Sequence, residues 1–239
     1  KDLSEGDFKQ SEESEGLHHV ERKLLQIALA TNNDNMMRPF KPNLKNGTYI
    51  DVEGLRKEMS GWVYPLHMID FETTSVALPF YKGLHPYEQV AFQFSHHIIE
   101  KNGTIKHIGQ YLNTKKGFCP NFEFIRELKR QLENDNGSVF RYSNHENTIL
   151  RCIYEQLEKS EECDKNALMD FIDTITHKDE HVGDRDMIDL WDVVKKYYYH
   201  PSMKGSNSIK VVLPAVLNSS RLLKEKYSRP VYGTEIISQ

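Results

Sequence analysis

The Asn102-Gly103 pair constrains the fold of this chain more than any other single feature. Asn-Gly is typical of tight β-hairpin turns, because both residues adopt positive φ angles at little steric cost. The pair lies between two runs of strand-forming residues, 89–99 and 105–112, and a third run at 66–72 precedes them. Three such runs in succession predict an antiparallel meander.

Helices and strands alternate after the meander. Residues 121–132 have apolar side chains at helical spacing, which predicts a helix with one buried face. The later predicted elements are a strand over 138–142, helices over 145–157 and 166–176, a strand or helix over 187–194, and a helix over 208–217 that is kinked or broken near Pro214. Three antiparallel strands followed by parallel additions predict an α/β mixed sheet with helices on both faces. This order is similar to that of the ribonuclease-H-like architecture.

The N-terminal quarter of the chain has a different character. It begins in a charged stretch without methionine, so we expect residues 1–61 to be an extension that ends an upstream domain, and residues 62–239 to be the main domain. Within the extension we predict an irregular start over 1–16, a helix over 18–30, a connector rich in Asn and Pro over 32–47, and a helix over 51–59 capped by Asp51.

Composition predicts a cytoplasmic protein. No apolar run approaches the roughly 18 residues that a membrane span needs, so no membrane partner is expected. No charged-then-apolar leader is present. Cys119, Cys152 and Cys163 are too few and too widely spaced for a disulfide framework or a CxxC zinc site, which favours reduced thiols.

Charge is distributed unevenly along the chain. The formal net charge is −4, but residues 185–229 contain nine basic and four acidic side chains. A basic segment combined with acidic metal ligands suits a polyanionic partner such as DNA or RNA. Solvated helix faces would produce the same pattern.

Two carboxylates stand out in the first predicted strand, at Asp70 and Glu72. Side chains alternate across a strand, so Ile69 and Phe71 are expected to face the core while the two acids share the other face. Carboxylates held this close repel each other unless a cation neutralises them, and hard oxygen ligands suit Mg²⁺ or Mn²⁺. An amphipathic strand with a hydrated face is the alternative interpretation.

Glu146 is the next candidate acid. It begins the helix that follows the strand over 138–142. If that strand runs parallel to the first, both end at the same edge of the sheet, and Glu146 can reach Asp70 and Glu72. An acid placed favourably in the helix dipole is the simpler alternative.

Two motifs resemble those of the DEDD, or DnaQ-like, exonuclease superfamily. The segment I-D-F-E-T-T-S over 69–75 looks like its first motif, and Y-S-N-H-E-N-T-I-L over 142–150 resembles its second. Over about 62–233 the chain more closely resembles a bacterial domain family of unknown function, through D-F-E-T, the P-Y-E-Q…F-Q-F-S-x-H stretch over 86–97, and R-D-M-x-D-L…G-S-x-S-I-K-x-V-L-P over 185–214. That family commonly follows a Cas4-like nuclease part, which would be an upstream partner in the same chain.

The superfamily resemblance implies hydrolysis of a nucleic-acid 3′ end with two Mg²⁺ or Mn²⁺ ions. Asp70 would bridge the ions, Glu72 would hold the one that carries the attacking water, and Glu146 would complete the other shell. Glu146 stands where the superfamily usually has Asp. A third motif, with a fourth Asp and a His or Tyr base, is expected after the helix over 208–217 but is not found before Gln239; Asp189 is an alternative fourth ligand.

The segment K-G-S-N-S-I-K is a candidate phosphate-binding site. Backbone N–H groups at a helix start and nearby lysines can bind an anion, and the candidate side chains are Lys204, Ser206, Ser208 and Lys210. A plain helix N-cap after a glycine turn explains the same residues equally well. Tyr197–Tyr199 could stack on bases, although packing is the stronger interpretation.

The acidic residues and the superfamily resemblance together imply a metal-dependent 3′→5′ exonuclease acting on DNA or RNA. The alternative is a nucleic-acid-binding module that keeps the fold but lacks the fourth acid. An endonuclease of the PD-(D/E)xK type is disfavoured, because no E-x-K follows an acid on a neighbouring strand.

Overall fold

The computed structural model describes residues 16–227, which divide into two compact units. Gly61–Leu190 form the central unit, while residues 16–60 and 191–227 form the flanking unit. This division begins where the sequence predicts a boundary, near Trp62, but it differs from the predicted single domain over 62–239, because the chain returns to the flanking unit at Trp191. The predicted irregular start lies almost wholly outside the described residues, as does the chain after residue 227.

The first part of the flanking unit contains more regular structure than predicted. Asn33 accepts hydrogen bonds from the backbone N–H groups of Asn35 and Met36, so a helix begins inside the predicted connector. Asp51 accepts from the N–H of Gly54, which confirms the predicted cap. The elements are helices α1 (His19–Ala30) and α2 (Asp34–Met37), a 3₁₀ turn (Arg38–Asn43), strands β1 (Leu44–Lys45) and β2 (Thr48–Ile50), and helix α3 (Val52–Ser60).

The central unit contains the predicted meander and the alternating elements after it. Its elements are strands β3 (Leu66–Thr74), β4 (Val90–Ile99) and β5 (Ile105–Leu112), helix α4 (Asn121–Leu132), strand β6 (Val139–Arg141), helices α5 (His145–Glu158) and α6 (Lys165–Ile175), and strands β7 (His177–Lys178), β8 (His181–Val182) and β9 (Ile188–Asp189). The predicted hairpin turn is present, with Gly103 at a φ of 83°.

Five strands of the central unit form one mixed sheet in the order β5-β4-β3-β6-β9. β3, β4 and β5 pair antiparallel, whereas β6 pairs parallel with both β3 and β9. This is the predicted α/β mixed sheet, with a meander followed by parallel additions, and it agrees with the ribonuclease-H-like architecture.

One apolar core joins the sheet to its helices. Phe71 of β3 and Phe94 of β4 lie on the same face and contact Phe124 of α4 edge-on, with ring centroids 4.9 and 5.2 Å away. Buried residues of α5 and α6, including Ile153 and Ile172, extend the same cluster. Burying each large apolar side chain contributes about 1.5–3 kcal/mol.

A buried histidine pair crosses from β3 to β4 within this sheet. His67 Nδ1 lies 2.8 Å from His96 Nε2, and the pair continues to Asp135 Oδ1 at 2.8 Å and to Gln131 Oε1 at 2.9 Å. Gly109 stands opposite His96 on β5, and an added Cβ there would lie 2.0 Å from Gln131 Oε1. The glycine therefore leaves room for the polar contact.

This pair makes the stability of the fold sensitive to acid. Burial lowers the pKa of His67 and lowers that of His96 to about 4. A histidine whose pKa is lower in the folded than in the unfolded state stabilises the fold above about pH 6.5, and that stability is lost as the pH falls toward 4. We expect the free energy of unfolding to fall by up to about 1.4 kcal/mol per pH unit for each such histidine.

Replacing His96 with Gln should lower stability at pH 7 but flatten its decrease between pH 7 and pH 5, as measured by urea unfolding. The control is His107→Gln, since His107 is exposed. An unchanged pH slope in the His96 variant would contradict the assignment of the acid sensitivity to the pair.

The flanking unit resumes where the predicted strand or helix over 187–194 lies. That segment is both: β9 ends at Asp189, and helix α7 (Leu190–Tyr197) follows at once. Strand β10 (Tyr198–Tyr199) pairs with β2, and after a 3₁₀ turn (Pro201–Met203) come helices α8 (Ile209–Ser219) and α9 (Arg221–Tyr227). Helix α8 continues through Pro214, so of the predicted kink or break the break is wrong, and the kink stays a prediction.

Arg22 ties the two parts of the flanking unit together. Its buried guanidinium donates to the backbone carbonyls of Lys195 at 3.0 Å and Tyr198 at 2.7 Å, and to Asn207 Oδ1 at 2.5 Å. Carbonyl groups at the end of α7 lack intrahelical partners, so the cation satisfies groups that would otherwise be buried unpaired.

A membrane span would need a longer and more apolar helix than any that occurs between residues 16 and 227.

Candidate acidic site

Asp70 and Glu72 occupy the face of β3 opposite the apolar core, as predicted. Ile69 and Phe71 are only 6% and 5% exposed, whereas Asp70 and Glu72 are exposed to solvent. The strand alternation therefore puts both carboxylates on one hydrated surface.

Parallel pairing places the ends of three strands at one edge of the sheet. His67 is opposite Val139 and Met68 opposite Phe140, so the chain leaving β6 runs alongside the part of β3 that carries the acids. Arg141 is in turn opposite Asp189 at the end of β9. Ligand sites in such sheets form beyond the carboxyl ends of the strands.

Glu146 lies in the first turn of α5, directly after β6. It is only 5% exposed, and its Oε2 atom has no hydrogen-bond partner among residues 16–227. A buried carboxylate oxygen without a partner is costly, by about 1–3 kcal/mol or more, so such groups call for a specific explanation.

Electrostatics links Glu146 to two other acids. Burial raises the pKa of Glu146 to about 7, and the negative charges of Asp70 and Asp189 act in the same direction. The guanidinium of Arg141 opposes them. Carboxylates from β3, β9 and α5 therefore lie close enough to influence one another, and Arg141 compensates the ionised form of Glu146 only in part.

Asp189 is held by the chain segment that connects β6 to α5. Its Oδ2 accepts from Arg141 Nη1 at 3.0 Å, and its Oδ1 accepts from the backbone N–H of Ser143 at 2.8 Å. The Arg141 and Asp189 side chains are only 6% and 9% exposed. Arg141 was not predicted as a site residue, although a charged side chain inside the buried strand V-F-R is a signal that could have identified it.

His145 connects the end of β3 to the start of α5. Its Nε2 lies 3.2 Å from the Thr73 hydroxyl oxygen. Thr73 follows Glu72, and His145 precedes Glu146, so this contact holds the two acidic segments next to each other.

The donor chemistry at this edge fits a hard divalent cation. Among residues 16–227, no group of three or more His, Cys, Asp or Glu side chains is already arranged as a metal site. Carboxylate oxygens are the ligands that Mg²⁺ and Mn²⁺ prefer, and the unpartnered Oε2 of Glu146 is one such oxygen. Convergence of Asp70, Glu72 and Glu146 on two ions stays a prediction.

The predicted phosphate-binding residues belong to the flanking unit, where they form the start of α8. Ser208 is the N-cap and accepts from the N–H of Lys210 at 3.4 Å, while Lys204 has a left-handed backbone with φ 49°. All four candidates, including Ser206, are exposed. The helix-start interpretation is confirmed, and anion binding stays a prediction.

The neighbouring tyrosines mainly serve packing. Tyr197 and Tyr199 are 1% and 4% exposed, so neither presents a ring to a nucleic-acid base. Tyr199 instead lies under the Arg22 guanidinium, 5.3 Å from ring centroid to Cζ.

The fold is that of a ribonuclease-H-like α/β protein, and it carries carboxylates near the ends of its parallel strands. Residues 67–208 match the model of a family described as a domain of unknown function (DUF2779), and the chain belongs to that family. The matched range contains all four acids, Asp70, Glu72, Glu146 and Asp189. Neither a curated protein nor a solved structure matches the chain.

The raised pKa of Glu146 predicts a pH-dependent effect of Glu146→Gln. A carboxyl group whose pKa is higher in the folded state favours folding at low pH, and that contribution is lost as the pH rises from 4.5 through about 7. In EDTA the variant should therefore gain stability over the wild type at pH 8.5, by up to about 3 kcal/mol, and gain little at pH 4.5.

Thermal unfolding at the two pH values measures this difference. Glu161→Gln is the matched control, because Glu161 is an exposed acid of the same unit. Equal effects of Glu146→Gln at both pH values would mean that the ionised carboxylate is tolerated without a cation.

Proposed function

We propose that this protein hydrolyses nucleic-acid phosphodiesters from the 3′ end in a metal-dependent reaction. The observation that carries the proposal is the buried carboxylate of Glu146, which has an unpartnered oxygen and lies within the electrostatic reach of Asp70 and Asp189. A divalent cation bound here would offset the negative charges of Glu146 and Asp70.

Asp70, Glu72 and Glu146 are the residues that would hold the metal. Two bound Mg²⁺ or Mn²⁺ ions would stabilise the attacking and leaving oxygens of an in-line displacement. The role of the protein is to fix the carboxylate oxygens: β3 presents Asp70 and Glu72 on its exposed face, and the first turn of α5 presents Glu146.

Asp189 is the best candidate for the fourth acid within this chain. Its charge acts on Glu146, and its two carboxylate oxygens are oriented by Arg141 and the Ser143 N–H group. Arg141 is thus a positioning residue, since it acts through Asp189. A fourth Asp and a base supplied by a downstream motif remain the alternative expected from the superfamily resemblance.

The assignment to the DnaQ-like superfamily rests on three agreements. They are the D-F-E-T segment on β3, an acid at the start of the helix after β6, and the sheet order β5-β4-β3-β6-β9. Family membership by itself supports no activity, because the matched family is one of unknown function.

A nucleic-acid-binding module without catalytic activity is the second candidate. Two observations favour it: the Arg141 guanidinium already neutralises Asp189, and no three-residue metal cluster is formed among the described residues. The two candidates differ in their response to Mn²⁺.

Asp70→Asn should abolish Mn²⁺-dependent degradation of a 3′-labelled oligonucleotide. It should also raise the melting temperature in EDTA, because one repelling charge is removed. Wild-type protein should gain about 2.7 kcal/mol of stability at a Mn²⁺ concentration 100-fold above Kd, and the variant should lose this gain.

Asp170→Asn is a control, because Asp170 is exposed on α6. A full Mn²⁺ shift in the Asp70 variant would exclude Asp70 as a ligand. Wild-type binding of oligonucleotides without degradation would favour the binding module. A matching loss of activity in Asp189→Asn would identify Asp189 as the fourth acid rather than a downstream residue.

Replacing Lys204 and Lys210 together with Ala tests the predicted phosphate-binding role. We expect weaker oligonucleotide binding for all sequences, with a salt slope reduced by about one unit for each phosphate that the variant no longer neutralises. Fluorescence anisotropy at several salt concentrations measures this slope. The control is Lys224→Ala with Lys226→Ala, which removes the same charge from α9 and should leave the salt slope as in the wild type. If the Lys204/Lys210 variant also keeps the wild-type slope, K-G-S-N-S-I-K is a helix start and no more.

A further inference from the structure

The loop over 75–88, which joins β3 to β4, exposes three large apolar side chains. Leu78 is 83% exposed, and Phe80 and Tyr87 are each 68% exposed. Single exposed apolar residues are ordinary, but one leucine and two aromatic rings exposed on one loop are not explained by burial in the fold.

The loop leaves the sheet at the acidic edge. It begins two residues after Thr73, whose hydroxyl group lies 3.2 Å from His145 Nε2 at the start of α5. Glu72 precedes Thr73 and Glu146 follows His145 in sequence, so the base of the loop adjoins the candidate site.

Hydrogen bonds hold the loop in one shape. The Tyr87 N–H donates to the Val76 carbonyl at 2.8 Å, which closes the loop at its base. Glu88 accepts from the His85 N–H at 2.7 Å and from Gln156 Nε2 of α5 at 2.9 Å. A loop tied at its base and to α5 presents its side chains with less ordering entropy to lose on binding.

Tyr87 occupies an unusual backbone conformation. Its φ is 61°, in the left-handed region that residues with bulky side chains rarely adopt. The fold maintains this conformation while the tyrosine ring stays in solvent, and strained residues of this kind cluster at binding sites.

We infer that Phe80 and Tyr87 form a stacking platform for the bases of a single-stranded nucleic acid whose end enters the acidic site. Aromatic rings bind unpaired bases of any sequence through their π-faces, and Lys82, exposed between the two rings in sequence, adds a cation for the phosphate backbone. A duplex keeps its bases stacked on one another and cannot use the platform. This inference rests on the proposed function and specifies single strands as its substrate.

The test is binding in EDTA, where the strand is not degraded. Phe80→Ala and Tyr87→Leu should each raise the Kd for a labelled single-stranded oligonucleotide about five-fold or more, from the usual energy of one stacked base. Tyr87→Phe keeps the ring and should leave the Kd within about two-fold of the wild type, a small change on the same scale. Leucine retains apolar area, so its failure to substitute for tyrosine separates stacking from simple burial.

Ile105→Ala is the matched control. Ile105 is 54% exposed at the start of β5. It pairs with Ile99, which pairs with Leu66 at the start of β3, so it lies at the end of the strands opposite the acidic site. Its replacement should not change the Kd, and a blunt duplex should bind the wild type and the ring variants equally.

Each result distinguishes this inference from the proposed hydrolysis. Ring-dependent binding of single strands supports the platform even if Mn²⁺ produces no degradation, in which case the proposed hydrolysis fails alone. Degradation with unchanged single-strand binding in both ring variants overturns the platform alone. Absence of oligonucleotide binding, or equal effects of the ring variants on duplex and single strands, also overturns it, and the exposed apolar side chains would then fit a protein partner.

Discussion

The parallel pairing of β3 with β6 is the constraint on which the rest of the central unit depends. Two residue pairs, His67 with Val139 and Met68 with Phe140, set the register between the meander and everything after it. That register determines where the segment from β6 to α5 emerges, and hence that the charge of Asp70 acts on Glu146. A shift by one residue would turn each side chain of the short strand β6 to the opposite face.

The acidic edge combines charges that compensate one another only in part. Arg141 is a buried cation facing Asp189, while Glu146 is a buried acid without a hydrogen-bond partner for one oxygen. A buried ion pair is stabilising only with good geometry and further hydrogen bonds, which Arg141 obtains from the Ser143 carbonyl and Asn144 Oδ1. Glu146 has weaker support: its own backbone N–H and the charge of Arg141 stabilise the ionised carboxylate only in part, and its Oε2 atom has no partner. An external positive charge would complete this compensation.

Local sequence patterns predicted the meander, helices α4 to α6 and the exposed face of Asp70 and Glu72, because hydrophobic periodicity acts over a few residues. The two-residue strand β9 was too short to show a period, so residues 187–194 stayed ambiguous. The return of the chain to the flanking unit and the Arg141–Asp189 pair depend on partners far apart in sequence. The burial of Glu146 likewise follows from tertiary packing, which no motif spacing encodes.

The division of the chain has a consequence for its synthesis on the ribosome. The central unit lies wholly within 61–190, so it can fold as soon as that stretch has emerged. The flanking core cannot, because Leu24 and Leu25 share it with Val212 and Ala215. Phe40 and Tyr49 of the same core follow soon after helix α1, but the rest of its apolar face stays uncovered until about 180 further residues have been translated. Helix α1 is made before the other described helices but is among the last to be fully buried, and during that delay it is available to chaperones.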